Sequence, residues 1–306
     1  MRIAVVGAGA MGSLFGALLA ETGTEVCLYD VWIDHINAIN QSGLRIEHQN
    51  QTRTVSIHAT ADPNQIGRAD LAIIFVKSTQ TAPATRTAAQ LLGTDGLILT
   101  LQNGMGNADI MAQFIDPARI VAGTTAHGAT VLGPGRIRHA GSGPTVIGLW
   151  APGEGAQTLI QPIAARFTQA GIETEVVADV RPVVWNKLLV NVGINAITAL
   201  TGIKNGQLLD LAATREVSRA AVEEARSVAQ ARGVQTRGDA VAHVFQIAEA
   251  TALNRSSMGQ DVDARRPTEI DAINGFIVRE ARQLGLPVPV NQTLTALIET
   301  LQFHYE

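Results

Sequence analysis

The sequence predicts an α/β protein in which an N-terminal doubly wound parallel sheet is followed by an all-α C-terminal domain. Short apolar runs alternate with helical patterns up to about residue 125, and a glycine-rich turn follows the first run. After Arg181-Pro182 the pattern is helical almost to the end of the chain. Alternating strands and helices are typical of a parallel sheet with helices on both faces. We therefore predict two domains, residues 1–180 and residues 181–306.

The individual elements follow from the apolar periodicity of the chain. Predicted strands of the first domain cover residues 3–6, 25–29, 43–47, 71–76, 97–101 and 173–177. Predicted helices cover residues 11–20, 35–40, 85–92 and part of 152–170 in the first domain, and 183–200, 214–232, 239–253, 268–284 and 292–302 in the second. The glycine- and proline-rich stretch 133–148 predicts strands joined by turns, which we expect to close the edge of the sheet.

The amino-acid composition excludes several classes of protein. Hydrophobic residues make up 46% of the chain and charged residues 16%, which excludes a disordered protein. A net charge of −4 offers no basic surface for nucleic acid. The single cysteine, Cys27, excludes an intrachain disulfide and a cysteine metal cluster, and it fits a reducing cytoplasm. We therefore expect a cytoplasmic protein that binds neither nucleic acid nor a structural metal.

The first twenty residues resemble a signal peptide in outline, because Arg2 precedes a stretch rich in apolar residues. Four glycines interrupt that stretch, and a strand, a loop and a helix explain the same residues better. No other stretch approaches the ~20 apolar residues of a membrane span. We expect neither a cleaved leader nor a membrane anchor.

A glycine motif follows the first predicted strand and opens the first predicted helix. It has the form G-x-G-x-x-G and reads Gly7-Ala8-Gly9-Ala10-Met11-Gly12. In this context the first glycine permits a tight turn, the second lets the backbone approach a pyrophosphate, and the third allows close packing of helix on strand. The helix N-terminus supplies amide donors for the phosphates. The motif predicts a dinucleotide-binding domain of Rossmann type, with a glycine turn that binds nothing as the alternative.

Asp30 ends the second predicted strand. A carboxylate there can accept hydrogen bonds from both adenosine ribose hydroxyls and would repel a 2′-phosphate. The next residues, Val31 to Asp34, include no arginine. Asp30 therefore favours NAD over NADP, and the alternative is an aspartate that only caps a helix or a turn.

Lys187, Asn191 and Asn195 are spaced four residues apart and so lie on one face of a predicted helix. Their neighbours are almost all apolar, and buried polar groups without partners are costly. A polar ligand in a cleft would supply those partners. The alternative is a lysine that extends to solvent while the two amides connect helices.

A lysine suits the reduction of a ketone, because hydride delivery leaves an alkoxide that needs a proton. Partial desolvation lowers the pKa of an ammonium group toward neutrality, so that it can act as a general acid. Its charge would also stabilise the developing oxyanion. The seven histidines show no metal-ligand spacing, and we interpret His127 and His139 as structural polar residues.

These and further motifs resemble those of the ketopantoate reductase family over nearly the full chain. In order, they are the glycine loop, Phe75-Val76-Lys77, Gln102-Asn103-Gly104-Met105-Gly106, Gly133-Pro134-Gly135, Trp185-Asn186-Lys187 with Asn191 and Asn195, and the segment from Ser256-Ser257-Met258 to Arg266-Pro267-Thr268-Glu269-Ile270-Asp271. The resemblance implies an NAD(P)-dependent 2-dehydropantoate 2-reductase, an enzyme of pantothenate biosynthesis that reduces ketopantoate to pantoate. It also implies a Rossmann domain followed by a helical domain, with the active site between them.

The resemblance implies two catalytic residues. Lys187 matches the general-acid lysine of the family, and Glu269 matches a glutamate that assists the lysine and borders the cofactor. A glutamate in the first turn of a helix, with Thr268 as N-cap, is the structural alternative for Glu269.

Binding roles are implied for five further residues. Asn191 and Asn195 match amides that hold the polar end of the substrate, and Ser257 matches a serine that contacts its carboxylate. Lys77 and Asn103 match positions near the cofactor and the substrate. Asn103 is also supported independently, since it follows a predicted strand at the end where such sheets bind ligands. Ser257 as an ordinary cap and Lys77 as a solvated strand end remain alternatives.

Asp30-Val31 departs from the family pattern, because the best-known members prefer NADP and carry a basic residue there. This leaves a second hypothesis, an NAD-dependent D-2-hydroxy acid dehydrogenase of the same superfamily that acts on other 2-oxo acids. A third hypothesis is a non-catalytic dinucleotide-binding sensor, against which the presence of Lys187 and Glu269 argues. Each enzyme hypothesis has a small 2-oxo acid as substrate. The helical domain has enough apolar positions for a homodimer interface, although such positions also fill a core.

Overall fold

The computed structural model describes residues 1–49, 51–151, 153 and 156–305. The chain divides into two compact units. The first comprises Met1–Gln102 and Asn107–Val180, and the second comprises Asn103–Gly106 and the chain from Arg181 onward. The first unit is α/β and the second is helical, which confirms the predicted fold class.

The first unit forms two sheets from the strands within its described residues. The strands are β1 (Arg2–Val6), β2 (Glu25–Tyr29), β3 (Leu44–His48), β4 (Gln51–Val55), β5 (His58–Thr60), β6 (Ala69–Ile74), β7 (Leu92–Thr100), β8 (Ile120–Thr125), β9 (Gly128–Gly133), β10 (Arg136–Gly141), β11 (Thr145–Leu149) and β12 (Thr174–Val176). The larger sheet has the order β12-β11-β8-β7-β6-β1-β2-β5. Its strands pair in parallel except for β11, which is antiparallel to β8.

The helices of the first unit alternate with the strands of the larger sheet. They are α1 (Ala10–Glu21), α2 (Ile33–Ser42), α3 (Thr81–Leu91), α4 (Asn107–Met111) and α5 (Ala156–Gln169). Each predicted helix of this unit is present, although α3 begins earlier than the predicted 85–92. Part of the helix predicted within 152–170, namely residues 152, 154 and 155, lies outside the described residues.

The smaller sheet corrects one prediction. The strands of stretch 133–148 were expected at the edge of the larger sheet, but β9 and β10 belong to a separate sheet of order β4-β3-β10-β9. Pairing of β10 with β3 places Ile137 beside Ile46, and both side chains are fully buried in the main core. Only β11 from this region joins the larger sheet, in which β12 is the outermost strand.

Helix α1 contacts strands of both sheets. Its residue Phe15 is fully buried and lies 5.0 Å, ring centroid to centroid, from Phe75 and 5.8 Å from Phe167 of α5. Such tilted and edge-on pairs of aromatic rings add to the stabilisation from buried area. The anchored helix fixes the position of its own N-terminus, where the glycine motif lies.

The second unit consists of helices and turns. The helices are α6 (Arg181–Thr201), α7 (Ala212–Ala231), α8 (Ala240–Ala250), α9 (Ser257–Asp263), α10 (Asn274–Leu284) and α11 (Pro289–Phe303). Helix α6 contacts α7, α8, α9 and α11 and is therefore the central element. A Cβ atom at Gly193 would lie 2.7 Å from Val222 Cγ2 and 2.8 Å from Val244 Cγ1, so glycine permits the close approach of α7 and α8.

The structure differs from two predictions for the helical unit. The helix predicted at 268–284 begins only at Asn274, because residues 268–273 form turns in which the Thr268 hydroxyl accepts from Ile270 N at 3.2 Å.

Helix α6 was not expected to resemble a membrane span, yet its length and mean hydropathy of 1.4 would allow one. Since 67% of that apolar window is buried within the protein, a core helix accounts for its hydropathy.

The two histidines interpreted as structural lie together in the first unit. His127 Nδ1 and His139 Nε2 are 3.3 Å apart, and the rings are stacked at an interplanar angle of 18°. Both side chains are buried, which lowers the pKa of each below its ordinary value. Among the described residues, no group of three or more His, Cys, Asp or Glu side chains has an arrangement that could hold a metal ion.

Candidate functional site

The glycine motif forms the turn from β1 into α1, and its glycines meet different physical demands. Gly7 has φ +99°, and a Cβ atom there would lie 2.7 Å from Val76 N. A Cβ atom at Gly12 would lie 1.8 Å from Gly7 O. A Cβ atom at Gly9 would meet no atom of the described residues within 4 Å. The fold itself therefore requires Gly7 and Gly12, whereas Gly9 leaves the outer side of the turn open.

Some backbone amides of this turn donate hydrogen bonds within the protein, and others lie at the N-terminus of α1. Gly7 N donates to Tyr29 O at 2.8 Å, and Ala8 N donates to Asp30 Oδ2 at 2.7 Å. Helix α1 begins at Ala10 with no side-chain hydrogen bond at its N-cap. The first amides of a helix have no partner within the helix and carry a partial positive charge. This uncapped N-terminus is suited to the phosphates of a dinucleotide.

Asp30 lies directly after β2 and is held by two backbone donors. Its Oδ2 atom accepts from Ala8 N, and its Oδ1 atom accepts from Trp32 N at 3.0 Å. The second contact is the side-chain turn that the sequence left open as an alternative. Each carboxylate oxygen has a further lone pair, so these contacts leave Asp30 able to accept from ribose hydroxyls. The three residues after Asp30 are apolar or aromatic and exposed, with Val31 at 78% exposure.

Lys77 follows β6, two residues after Phe75, and is exposed. The neighbouring Val76 carbonyl accepts from Gln102 Nε2 at 2.8 Å, which connects the ends of β6 and β7. Lys77 therefore lies at the carboxyl ends of the parallel strands, the edge at which doubly wound sheets bind their ligands.

Asn103 belongs to the helical unit although it follows β7 in the chain. The segment is held by Met105 N, which donates to Ala272 O at 2.8 Å. Gly104 has φ +79°, and a Cβ atom there would lie 2.4 Å from the same Ala272 carbonyl oxygen. This glycine therefore permits a close contact of backbone with backbone, which positions the half-buried Asn103. The sequence had placed Asn103 with the dinucleotide domain.

Lys187, Asn191 and Asn195 lie along α6, as the four-residue spacing predicted. Asn195 is 6% exposed. The Nδ2 atom of Asn191 is buried, and no described residue accepts a hydrogen bond from it. A buried amide donor without a partner costs about 1–3 kcal/mol, so this atom is suited to an external acceptor.

Burial lowers the pKa of the Lys187 ammonium from 10.5 to about 8, and the negative charge of Glu269 opposes this shift. Glu269 is 8% exposed and lies in the turns that precede α10, outside any helix. The alternative of a first-turn helix acid is therefore wrong for Glu269. A lysine with a pKa near 8 is mostly protonated at neutral pH and can still release its proton readily.

Ser257 is the first residue of α9 and is exposed. The N-cap of α9 is its neighbour Ser256, whose hydroxyl accepts from Gly259 N at 3.1 Å. Ser256 Oγ also accepts from the Thr198 hydroxyl at 2.7 Å, so both of these bonds hold Ser256 within the fold. The capping role considered for Ser257 belongs to Ser256, and the Ser257 hydroxyl is accessible.

Two residues near the glycine turn were not singled out from the sequence. Ser13 and His35 are both fully buried, and Ser13 Oγ lies 3.1 Å from His35 Nε2. The local signal for Ser13 is a polar residue in an apolar helix. His35 has no comparable signal, because its partners are distant in sequence.

The doubly wound sheet, the glycine turn and the half-buried Lys187 are features of a nicotinamide-dependent oxidoreductase, and comparison with known proteins gives a 2-oxo acid as its substrate. The family model "Ketopantoate reductase PanE/ApbA" matches residues 3–152, and its C-terminal counterpart matches residues 179–302. The chain belongs to the ketopantoate reductase family.

Individual relatives agree with this assignment. The chain is 40% identical to the 2-dehydropantoate 2-reductase of Halobacterium salinarum, with 99% of each chain covered. It is 35% identical to the same enzyme of Pyrococcus abyssi, with 98% of this chain and 97% of the other covered. The fold is similar to that of a PanE/ApbA family ketopantoate reductase from Ralstonia eutropha, with a TM-score of 0.91. These two sequences are 35% identical, with 100% of this chain and 99% of the other covered.

A second kind of relative has the same fold. D-mandelate dehydrogenase, in a ternary structure with NADH and anilino(oxo)acetate, has a TM-score of 0.93 against this chain. The two sequences are 27% identical, with 100% of this chain and 99% of the other covered.

We predict that Gly9→Ala leaves the stability of the protein nearly unchanged and weakens NADH binding about tenfold, the effect of an overpacked contact. The new methyl group has no atom of a described residue within 4 Å, and the N-cap φ of −64° is accessible to alanine. Thermal melting and titration of NADH fluorescence measure the two quantities. Gly12→Ala is the contrasting variant, because it should lower both. Normal NADH affinity in Gly9→Ala would remove the glycine turn from the pyrophosphate site.

Proposed function

We propose that this chain is a 2-dehydropantoate 2-reductase, which reduces the keto group of ketopantoate to give pantoate, with Lys187 as the proton donor. The observation that carries this proposal is the half-buried Lys187, whose pKa is lowered to about 8, on the same helix face as the unsatisfied Asn191 amide. The identity of 40% to a named 2-dehydropantoate 2-reductase over 99% of both chains supports the choice of substrate.

The dinucleotide would be held by the first unit. The open turn at Gly9 and the uncapped N-terminus of α1 fit a pyrophosphate, Asp30 fits the adenosine ribose, and Lys77 lies at the binding edge of the sheet. Ala8, Ala10 and Met11 complete this loop. When bound, the reduced nicotinamide supplies the hydride that adds to the keto carbon.

The proton donor and the substrate contacts lie in the second unit. As the carbon–oxygen double bond opens, Lys187 stabilises the negative charge on the former keto oxygen and transfers its proton to it. Asn191 and Asn195 would donate hydrogen bonds to the polar end of the substrate. Ser257 would bind its carboxylate, and Asn103 is the candidate contact to both substrate and cofactor.

Glu269 has an electrostatic role in this proposal. Its carboxylate raises the pKa of Lys187 against the effect of burial and so keeps the lysine protonated at neutral pH. In this way Glu269 would increase the fraction of Lys187 that carries a proton at neutral pH.

A second candidate is an NAD-dependent D-2-hydroxy acid dehydrogenase that acts on other 2-oxo acids. Asp30 favours it, since a carboxylate at the ribose repels the 2′-phosphate of NADP. The similarity in fold to D-mandelate dehydrogenase, with a TM-score of 0.93, supports the same candidate. A cytoplasmic location and a homodimer remain predictions from the sequence.

The proposal is tested by mixing the purified protein with ketopantoate and either NADH or NADPH and following the loss of nicotinamide absorbance. We expect oxidation of the nucleotide with ketopantoate. Oxidation with an aromatic 2-oxo acid such as phenylglyoxylate, and none with ketopantoate, would establish the second candidate instead. Nucleotide binding without turnover of any 2-oxo acid would indicate a non-catalytic sensor.

We expect Lys187→Ala to lower kcat by about 10²–10⁴-fold, the usual contribution of a general acid, while NADH affinity is retained. In the wild type, kcat for reduction should fall as the pH rises through about 8, because the lysine then loses its proton. A wild-type kcat that is flat from neutral pH to above this value would contradict the proton-donor assignment, as would normal turnover by Lys187→Ala.

Glu269→Gln should move the alkaline limb of the kcat–pH profile to lower pH. The reason is that Glu269 raises the pKa of Lys187, so its loss leaves burial to lower that pKa further. Glu223→Gln, an exchange on the surface of α7, serves as the control and should leave the limb in place. An unchanged limb in Glu269→Gln would show that Glu269 does not act on the proton donor.

We predict that Asp30→Ala weakens NADH binding more than NADPH binding, because it removes both the ribose acceptor and the repulsion of a 2′-phosphate. The measurement is the ratio of the two dissociation constants, which cancels any general damage from losing the bond to Ala8 N. The control is Asp34→Ala, which changes an exposed side chain in the first turn of α2. An unchanged ratio would remove Asp30 from the adenosine site.

A further inference from the structure

We propose that His35 is a positioning residue for the dinucleotide loop, and that it acts through Ser13 on the Ala8 carbonyl. The inference rests on the proposed function in one respect, since it takes the glycine turn to be the dinucleotide site. His35 lies in α2 and Ser13 in α1, and both side chains have 0% exposure.

A chain of hydrogen bonds joins three segments of the first unit. Ser13 Oγ donates to Ala8 O at 2.8 Å and lies 3.1 Å from His35 Nε2. On the other side of the ring, Gly135 N donates to His35 Nδ1 at 3.1 Å. His35 therefore connects the glycine turn to the tight turn between β9 and β10.

The donors and acceptors in this chain determine the protonation of the imidazole. Because Gly135 N–H donates to it, Nδ1 carries no proton. The only hydroxyl proton of Ser13 is directed to the Ala8 carbonyl, so the proton between Ser13 and His35 belongs to Nε2. The ring is therefore neutral, with one donor facing the glycine turn.

The surroundings of His35 maintain the neutral form. Burial lowers the pKa of His35, and the negative charge of Asp30 opposes this shift. Trp32 stacks on the imidazole with ring centroids 4.7 Å apart and an interplanar angle of 14°. Asp30 is the ionised group that acts on the ring, and it contacts the same residue of the turn, Ala8.

Ala8 is consequently held at both of its backbone polar groups. Its N–H donates to Asp30, and its carbonyl accepts from Ser13, which His35 orients. These contacts fix the two peptide planes on either side of the Ala8 Cα atom, and the next residue is Gly9. Hydrogen bonds weaken steeply when donor and acceptor are misaligned, so an unrestrained Ala8 carbonyl would misdirect the amides that follow.

The test compares His35→Ala with a matched control on the same helix. Asn40 of α2 also makes two hydrogen bonds to backbone, at 2.7 Å to Ala59 O and at 3.1 Å from Ala59 N, but it binds β5 and not the glycine turn. We expect His35→Ala to raise the dissociation constant and the KM for NADH about tenfold, with kcat at saturating NADH unchanged within about twofold. Asn40→Ala should lower the melting temperature and leave NADH affinity unchanged.

Two conservative variants locate the effect in the ring. His35→Gln can direct its amide donor toward Ser13, whereas the shorter His35→Asn reaches only the position of Nδ1, where its carbonyl oxygen can accept from Gly135 N. The proposal expects Gln to retain more NADH affinity than Asn. If His35→Ala does not fold, Ser13→Ala provides the same test, because it removes the bond to the Ala8 carbonyl and should also weaken NADH binding.

Three results would overturn the inference. They are wild-type NADH affinity in His35→Ala or Ser13→Ala, an equal loss of affinity in Asn40→Ala, and a greater loss in His35→Gln than in His35→Asn. Titration of the wild-type protein separates this inference from the proposed function, because it needs no substrate. Absence of binding of both NADH and NADPH by the wild type would overturn both, whereas tight binding with unaffected variants would overturn the role of His35 alone.

Discussion

The N-terminal unit depends on the close approach of α1 to the strand that precedes it. A Cβ atom at Gly12 would lie 1.8 Å from the carbonyl oxygen of Gly7, and one at Gly7 would lie 2.7 Å from the backbone of Val76. With any larger side chain, α1 would have to move away from the sheet, and Phe15 would leave the cluster it forms with Phe75 and Phe167. The packing that makes the core and the turn that exposes helix amides are thus consequences of one steric constraint.

The central helix of the helical unit, α6, holds a charged side chain whose protonated form is disfavoured by desolvation. Lowering the pKa of Lys187 from 10.5 to about 8 corresponds to about 3 kcal/mol against the protonated form, at 1.36 kcal/mol for each pKa unit. This cost is a sizeable part of the 5–15 kcal/mol that typically stabilises a folded protein. The neighbouring Asn191 adds a buried donor that no described residue satisfies. A helix core with only a structural role would avoid both features, which is why they indicate a site for a polar ligand.

The glycine turn and the polar face of α6, formed by Lys187, Asn191 and Asn195, differ in the groups that they offer to a ligand. At the turn, both backbone polar groups of Ala8 have partners within the protein, since its N–H donates to Asp30 and its carbonyl accepts from Ser13. The groups left for a ligand are backbone amides, whose direction is fixed by the chain itself. On α6 the groups left for a ligand are side chains, and their direction depends on packing against neighbouring helices.

The sequence by itself determined the features that depend on short spacings. Three such features are the G-x-G-x-x-G motif, the carboxylate after β2 and the polar face formed by Lys187, Asn191 and Asn195. Each involves residues close together in the sequence, for which the geometry of a strand or helix decides which side chains share a face. The alternation of strands and helices also follows from local periodicity, so the fold class could be predicted from the sequence.

The tertiary structure decided what depends on distant residues. It assigned β9 and β10 to a second sheet, because pairing of β10 with β3 buries Ile137 beside Ile46. It started α10 at Asn274 instead of residue 268, which placed Glu269 in a turn where its charge acts on Lys187. It also joined His35 to Gly135 across 100 residues of sequence. Local pattern carries no information on such pairs, since the burial and the hydrogen bonds that select them exist only after the chain has folded.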